Sequence, residues 1–444
     1  MNSYALNVFA GADLVGTLQF DPQEDVYAFT YDARWTRSPR AFPLSPHLPL
    51  KGPAAASGAV RRFVENLLPE GTALDVASKF SNITKNNIFG LIRHLGRETA
   101  GALSFLPEGQ APQPQEAVRR PVPFAELEER IQDRAQRPFT VWDGKVRMSV
   151  AGFQDKLLVF VDGDTLYLAD GSLASTHILK PEPLGTAMPC MVANEHFCMR
   201  LTNRISEARF GLAHAAQVQI LRVPSPVLLV QRFDRKRVQA GVERVHIVDG
   251  CQVLDMPVSA KYERNIGSGK DVQHIRDGVS FEKLMAVRSM LEEPALGMQR
   301  LVMWTFTTLL FGNSDAHGKN ISFYCRGAGL AVAELYDLVS MVQYESIHHD
   351  LAMAFGDEFS LDSVRSFALA DFCERSGIAR TYFARELKRL CAIAIEHAPL
   401  QAADAAYQGA ERAFVQGLEE FVVTRAHALR AMADDVPRFG KDNF

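Results

Sequence analysis

The residues best suited to chemistry lie in one short run, Gly312-Asn313-Ser314-Asp315-Ala316-His317-Gly318-Lys319-Asn320, directly after a strongly apolar segment. Acid, base and amide groups stand there around two glycines, as in a loop that presents side chains. Asp315 and Asn320 are spaced as D-x-x-x-x-N, the interval at which a phosphoryl-transfer loop sets a carboxylate on an acceptor hydroxyl and an amide oxygen on magnesium. Asp337 follows 17 residues after Asn320, at the end of a β-rich run. Two hard oxygen ligands from separate segments suit magnesium carrying phosphates, because that ion keeps waters and takes only one or two protein carboxylates. Read singly, Asp315 serves as well as a helix cap and Asp337 as a turn residue. Their combination points to phosphoryl transfer.

Upstream, His177-Ile178-Leu179-Lys180 ends a β-branched and apolar run with a lysine, and Glu195 sits 15 residues later in a helical segment. A strand lysine paired with a helix glutamate is the arrangement by which kinases hold the nucleotide's inner phosphates; a solvent-facing lysine at a strand end is the plainer alternative. Leu228 to Asp234 reads as a strand entering a polar turn, suited to cross between lobes and pair backbone groups with adenine. The linear order is therefore lysine, glutamate, crossing strand, Asp-x4-Asn loop, metal aspartate. No G-x-G-x-x-G precedes Lys180 and no Walker-type loop occurs. In its place stands Arg147 to Lys156, with small residues at Ser149, Ala151 and Gly152 whose amides can approach phosphate oxygens, and Lys156 to add charge.

These groups need a scaffold of more than one folded unit, and 444 residues suffice for two to four at roughly 100 to 200 residues each. Hydrophobic residues make up 47% and charged ones 23%, which excludes a disordered or coiled-coil chain. Lys plus Arg is 48 against 52 Asp plus Glu, a net charge of −4, too balanced to coat nucleic acid by bulk charge. A local surplus exists: ten basic against three acidic residues between Ala33 and Arg97, read as a solvated face or as a surface for an acidic partner or DNA. The six cysteines form no C-x-x-C pair, and with no leader-like or membrane-spanning segment in the sequence the expected location is cytoplasmic.

Apolar alternation predicts a small sheet from Tyr4 to Tyr31, covered by helices over 59–68 and 88–95. Five prolines within residues 107–123 predict a linker. The expected organisation is a β-rich subdomain over 1–107, a Pro-rich linker over 108–123, an α/β lobe over 124–255 containing a helix at 192–202, and a mainly helical lobe over 256–444 with one strand-like break at 330–339.

Four motifs give the sequence a likeness to a known family: SVAGFQDK at 149–156, HILKP at 177–181, NSDAHGKN at 313–320 and LYDLVS at 335–340. GRETAGAL at 96–103, NEHF at 194–197, QRFDR at 231–235 and CQVLDMPVSAKYE at 251–263 support them. With these the chain resembles the HipA-type toxin kinases of bacterial toxin–antitoxin modules, in their full-length form. The resemblance implies an α+β, two-lobed atypical kinase fold related to the phosphatidylinositol kinases, with an added amino-terminal sheet subdomain. It implies an ATP- and magnesium-dependent serine/threonine protein kinase, with Asp315 as catalytic base, Asn320 and Asp337 on metal, and Lys180 on phosphates beside Glu195. Ala151, Gly152, Phe153, Gln154, Asp155 and Lys156 would cover the nucleotide. Gln231, Arg232, Phe233 and Asp234 would lie at its adenine, with His317, Gly318, Lys319 and Tyr336 also at the nucleotide. Ser149 would be the autophosphorylation site that switches the enzyme off. The implied partners are a HipB-like helix-turn-helix antitoxin, operator DNA mainly through that antitoxin, and a protein substrate such as an aminoacyl-tRNA synthetase. Gln231 stands where the family pattern carries a glutamate.

Three other readings keep some of these residues. A small-molecule or lipid kinase would share the plan and differ in acceptor. A phosphohydrolase would use Asp315, His317, Asp337, His348, His349 and Asp350 as a metal cluster. A non-catalytic co-repressor would keep the fold alone.

Overall fold

The computed structural model describes residues 4–112, 117–147, 154–239, 241–440, 442 and 444. The chain divides into two compact units: Met1–Pro181, Leu221–Val258 and Ser322–Ala333 make the first, and Glu182–Ile220, Ser259–Ile321 and Glu334–Phe444 the second. These units interleave along the sequence, so the helix after Lys180 counts with the second and a hairpin after Asn320 with the first.

In the first unit, β1 (Tyr4–Ala10), β2 (Asp13–Asp21), β3 (Val26–Tyr31) and β4 (Leu103–Pro107) form an antiparallel sheet in the order β3-β2-β1-β4. Leu6 and Val8 on β1, with Leu18 opposite Leu6 on β2, are buried at the two-residue period a half-buried strand requires, and Val15 is buried where the register shifts. Helix α1 (Ser57–Glu65) packs on β3, followed by α2 (Gly71–Ser81) and α3 (Ile88–Leu95), which bury Val60, Phe63, Val64, Leu91 and Ile92.

The stretch predicted as a linker is partly sheet. Strand β5 (Val118–Pro121) precedes α4 (Phe124–Gln132) and the small hairpin β6 (Val141–Trp142) and β7 (Lys145–Val146). After these come β8 (Leu157–Asp162), β9 (Thr165–Asp170), β10 (His177–Pro181), β11 (Val218–Arg222) and β12 (Pro226–Gln231), giving a sheet in the order β11-β12-β10-β8-β9-β5. β5 pairs with β9 from Val118 opposite Asp170 to Pro121 opposite Tyr167. An edge position explains why prolines misled: Pro121 has no ladder donor to offer, and an edge strand needs none on its open side. Leu127, Phe139, Trp142, Leu157, Val159, Leu168, Leu179 and Leu229 fill the core against this sheet. A hairpin, β13 (Arg235–Val238) with β14 (Gly241–Arg244), leads into β15 (Ile247–Asp249) and the short helix α6 (Gly250–Val253). β15 joins β16 (Ser322–Cys325) and β17 (Leu330–Val332) in a three-stranded sheet.

The second unit is helical: α5 (Met191–Phe210), α7 (Phe281–Ala286), α8 (Pro294–Phe311), α9 (Ser366–Arg375), α10 (Arg380–Ala402) and α11 (Ala410–Met432). α5 is longer than its sequence pattern suggested because it is buried on nearly all sides and so shows no clear amphipathic period. α8 is buried from Leu301 to Phe311, and its threonines are accommodated there because Thr305, Thr307 and Thr308 donate their hydroxyls to carbonyls of their own helix. Pro294 starts it and Gly312, at φ +61°, ends it, the asymmetry favoured at helix termini. The strand expected over 330–339 stops at Val332, and beyond it Leu335 makes only an isolated bridge to Ala215. Among the described residues no helix is long and apolar enough to cross a membrane.

Candidate functional site

The second unit holds the acid and amide groups. Gly312 turns the chain out of α8 into the loop to Asn320, which is almost entirely buried apart from Asp315. Asn313, 1% exposed, connects the two carboxylate-bearing segments: its Oδ1 accepts from the Asp315 amide at 3.1 Å, and its Nδ2 donates to the Asp337 carbonyl at 3.3 Å. Its position in the motif does not by itself reveal this bridging role. Asn320 donates through Nδ2 to the Asp315 carbonyl at 2.8 Å, so the oxygen end of its amide is the end presented as an acceptor. Asp337 occupies the left-handed region at φ +52°, which few side chains other than Asn and Asp tolerate.

The neighbours of this loop hold it rigid. His317 accepts the Lys319 amide on Nδ1 at 3.2 Å, so its proton belongs on Nε2. Burial, with Lys261 and Lys319 nearby, pushes the His317 ring well below its ordinary value, and it is neutral. Tyr336 donates its hydroxyl to the Lys319 carbonyl at 2.7 Å. At Gly318 a Cβ would meet the Val279 side chain at 2.7 Å, so only glycine fits without displacement. Tyr262 donates its phenol to Asp315 Oδ1 at 2.8 Å, a contact spanning 53 positions that no local pattern reveals.

A second set of bonds ties the α5 helix to the segment around Asp337. Asn194 donates Nδ2 to the Ser340 carbonyl and to Tyr344 Oη, each at 3.0 Å, and accepts the Ser340 amide at 2.8 Å. Ser340 in turn donates its hydroxyl to the Phe311 carbonyl at 2.6 Å, at the end of α8. Glu195, 2% exposed, is the next residue on the same helix. The first turn of α5 is capped by Glu182, whose carboxylate accepts the Met191 and Val192 amides at 2.9 and 3.0 Å, satisfying donors that a helix start leaves open.

The first unit holds the other residues expected on the nucleotide. Lys180 lies at the buried end of β10, opposite Leu228 on β12, and is 5% exposed. Lys156, immediately before β8, is 3% exposed. Gln154 and Asp155 are half-buried; burial raises the Asp155 carboxyl while Arg134, 3.8 Å away, opposes this. Ser149, Ala151, Gly152 and Phe153 lie outside the described residues.

At the crossing segment the side chains divide. Gln231 is exposed and Phe233 half-buried, with Tyr324 donating its hydroxyl to the Phe233 carbonyl at 3.3 Å. Arg232 and Asp234 are each 4% exposed and face inward. Arg232 clasps Asp234 through Nε and Nη2 at 2.9 and 2.8 Å. Arg235 reaches Asp234 at 2.7 Å, and the Gly101 amide donates to it at 2.8 Å. Glu98 lies 3.7 Å from both Arg232 and Arg235 and accepts the Ser175 amide and hydroxyl at 3.0 and 2.6 Å. Burial alone raises the Asp234 and Glu98 carboxyls, but the surrounding guanidiniums more than offset it and hold both below their ordinary range. The side chains of Arg232 and Asp234 are thus engaged in joining GRETAGAL to QRFDR, leaving Gln231, Phe233 and the backbone as what this segment can offer a ligand.

The donor set fits a hard cation. Asn320 and Asp337 supply oxygens, whereas no group of three or more His, Cys, Asp or Glu side chains suited to a metal occurs among the described residues. That counts against the phosphohydrolase cluster, as does His349, whose Nε2 contacts the Tyr344 carbonyl at 2.8 Å.

Two family models match the chain, the HipA N-terminal domain over residues 6–106 and the HipA-like C-terminal domain over 148–398. The serine/threonine-protein kinase toxin HipA of Shewanella oneidensis is 40% identical over 389 residues, covering 87% of this chain and 86% of that protein. The putative kinase Y4mE of Sinorhizobium fredii is 33% identical, covering 88% and 90%. In solved structures, HipA in the Shewanella oneidensis complex of HipA, HipB and operator DNA superposes with a TM-score of 0.87 at 37% identity, over 98% of this chain and 100% of that one. The fold is the α+β kinase-like architecture of HipA. The chain belongs to the HipA family.

Proposed function

We propose that this protein is a serine/threonine kinase toxin that moves the terminal phosphoryl group of ATP, with magnesium, to a protein hydroxyl. One observation carries the reading: Asn313 bridges the Asp315 amide and the Asp337 carbonyl, so an acid suited to deprotonate a hydroxyl and an acid suited to a cation share one anchor. Asp315 is the base. Asn320 and Asp337 hold magnesium, which supplies charge neutralisation for the phosphate oxygens. Lys180 holds inner phosphates. Ala151, Gly152, Phe153, Gln154, Asp155 and Lys156 form the covering loop, and the segment from Gln231 to Phe233 meets adenine chiefly through backbone. His317, Gly318, Lys319 and Tyr336 shape the nucleotide side of the catalytic loop.

Ser149 is the self-modification site; a phosphate there adds roughly −1.5 to −2 charges to a phosphate-binding loop and expels it. The partner is a HipB-like helix-turn-helix antitoxin, through which operator DNA is reached, and the acceptor is a translation protein of the aminoacyl-tRNA synthetase kind. The Shewanella complex of HipA, HipB and operator DNA supports the partner assignment.

The test is transfer of labelled phosphate from ATP, with magnesium, to the protein itself and to dephosphorylated casein. Asp315→Asn should lower the rate by ~2 to 4 orders of magnitude, the contribution of positioned general base catalysis. Undiminished transfer by that variant removes Asp315 from the role. Label found only on small molecules or lipid would favour the alternative acceptor, and no transfer at all would favour the non-catalytic co-repressor.

A further inference from the structure

The segment CQVLDMPVSAKYE has no part in the reading above, yet its Tyr262 touches the proposed base. We propose that Tyr262 is a positioning residue for phosphoryl transfer, fixing the Asp315 carboxylate in the orientation that receives the acceptor hydroxyl. This rests on Asp315 being the base. The phenol donates to Asp315 Oδ1 at 2.8 Å. A carboxylate offers about four acceptor positions on two oxygens, so a single donor can set its rotation without exhausting it. A phenol also orients without cancelling charge, as an ammonium there would.

The tyrosine is itself held on both sides. The Gly318 amide donates to the Lys261 carbonyl at 2.9 Å, tying the residue before Tyr262 to the catalytic loop. On the other side the Glu263 amide donates to the Ala352 carbonyl at 2.9 Å, and the Glu263 carboxylate accepts the Ala354 amide at 2.8 Å and Arg276 Nε at 2.5 Å. A Cβ at Gly278 would fall 1.8 Å from the Tyr262 carbonyl, so that neighbour is packed as tightly as the backbone permits. The ring meets His317 edge-on, with centroids 5.1 Å apart at 88°. The backbone on both sides of Tyr262 is thus fixed, and its ring, 37% exposed, is directed by His317 and by the bond to Asp315; an anchored support of a reacting group is what preorganisation requires.

The experiment compares full-length Tyr262→Phe and Tyr262→Ala, each alone and combined with Asp315→Asn, by labelled-phosphate transfer from ATP to the protein itself and to casein. Both single variants should lose roughly ten- to a hundredfold in maximal rate, the effect of deleting one hydrogen bond to a charged group. The ATP concentration giving half-maximal rate should stay unchanged, and Tyr262→Phe should cost nothing further once Asp315 is Asn. If Tyr262→Phe keeps the full rate while Tyr262→Ala loses it, the ring only packs and the proposal fails. An equal loss in the Asp315→Asn background also overturns it. Full activity of Asp315→Asn would instead condemn the base assignment, a result separable from either.

Discussion

Two regions of this molecule solve opposite problems with polar groups. Around Asp234 in the first unit, charge is consumed: carboxylates and guanidiniums bind one another, and Arg232, Asp234 and Arg235 are all buried. Around Asp315 in the second, the side chains that brace the loop by hydrogen bonds are neutral, Asn313, Asn320, Ser340, His317 and Tyr262, while the ammonium groups of Lys261 and Lys319 lie close to His317 and the Asp315 carboxylate stays half-exposed. A site that must handle phosphate charge is better framed by amides and hydroxyls, since a guanidinium in the frame would neutralise the acid it is meant to orient.

The contrast breaks most visibly at Asp234. Asp234→Asn keeps the shape but leaves Arg232 and Arg235 buried without their carboxylate, and should destabilise the protein by about 3 to 5 kcal/mol, read by denaturant unfolding. Asp315→Asn should leave unfolding nearly unaltered, and a comparable stability loss there would erase the distinction. A smaller effect is expected at Asn313, where Ala strands the Asp315 amide and the Asp337 carbonyl. That variant should lose about 1 to 3 kcal/mol of stability and up to about a hundredfold in transfer rate through misplacement of the reacting groups. Were its rate intact, the bridge would be scaffold alone.

A pH dependence acts on both units. Burial depresses His246 in the first unit and His214 in the second to about 4, below the ordinary value near 6.5. The unfolded chain therefore takes up protons first, and stability should fall as pH drops from about 6.5 to about 4, by at most about 1.4 kcal/mol per unit per histidine. A melting temperature flat across that window would show that these rings are wetter than their packing indicates. The guanidinium-held Asp234 carboxylate acts in a lower window, its contribution present above the ordinary carboxylate range and lost further down.

The comparison also shows what sequence could reveal. Asp315, Asn320 and Asp337 were legible because their spacing is local or nearly so, and Lys180 because a strand end marks it. The Glu98 to Arg232 and Asp234 network was not, since its members lie more than 130 positions apart and each alone reads as an exposed charge; the nucleotide roles expected of the Arg232 and Asp234 side chains came from their motif and not from their surroundings. Strand β5 was hidden by prolines that an edge tolerates. Tyr262 was hidden because a lone tyrosine carries no period, and its meaning exists only once the loop folds against it.

The backbone at Asp337 bears on whether the protein is a working enzyme or a relic. A turn of this handedness is most comfortably made by glycine, and a scaffold released from any need for an acidic group could adopt glycine there with less steric penalty. Asparagine would keep the turn and an oxygen while deleting the negative charge, so Asp337→Asn separates the bend from the electrostatics at a single atom.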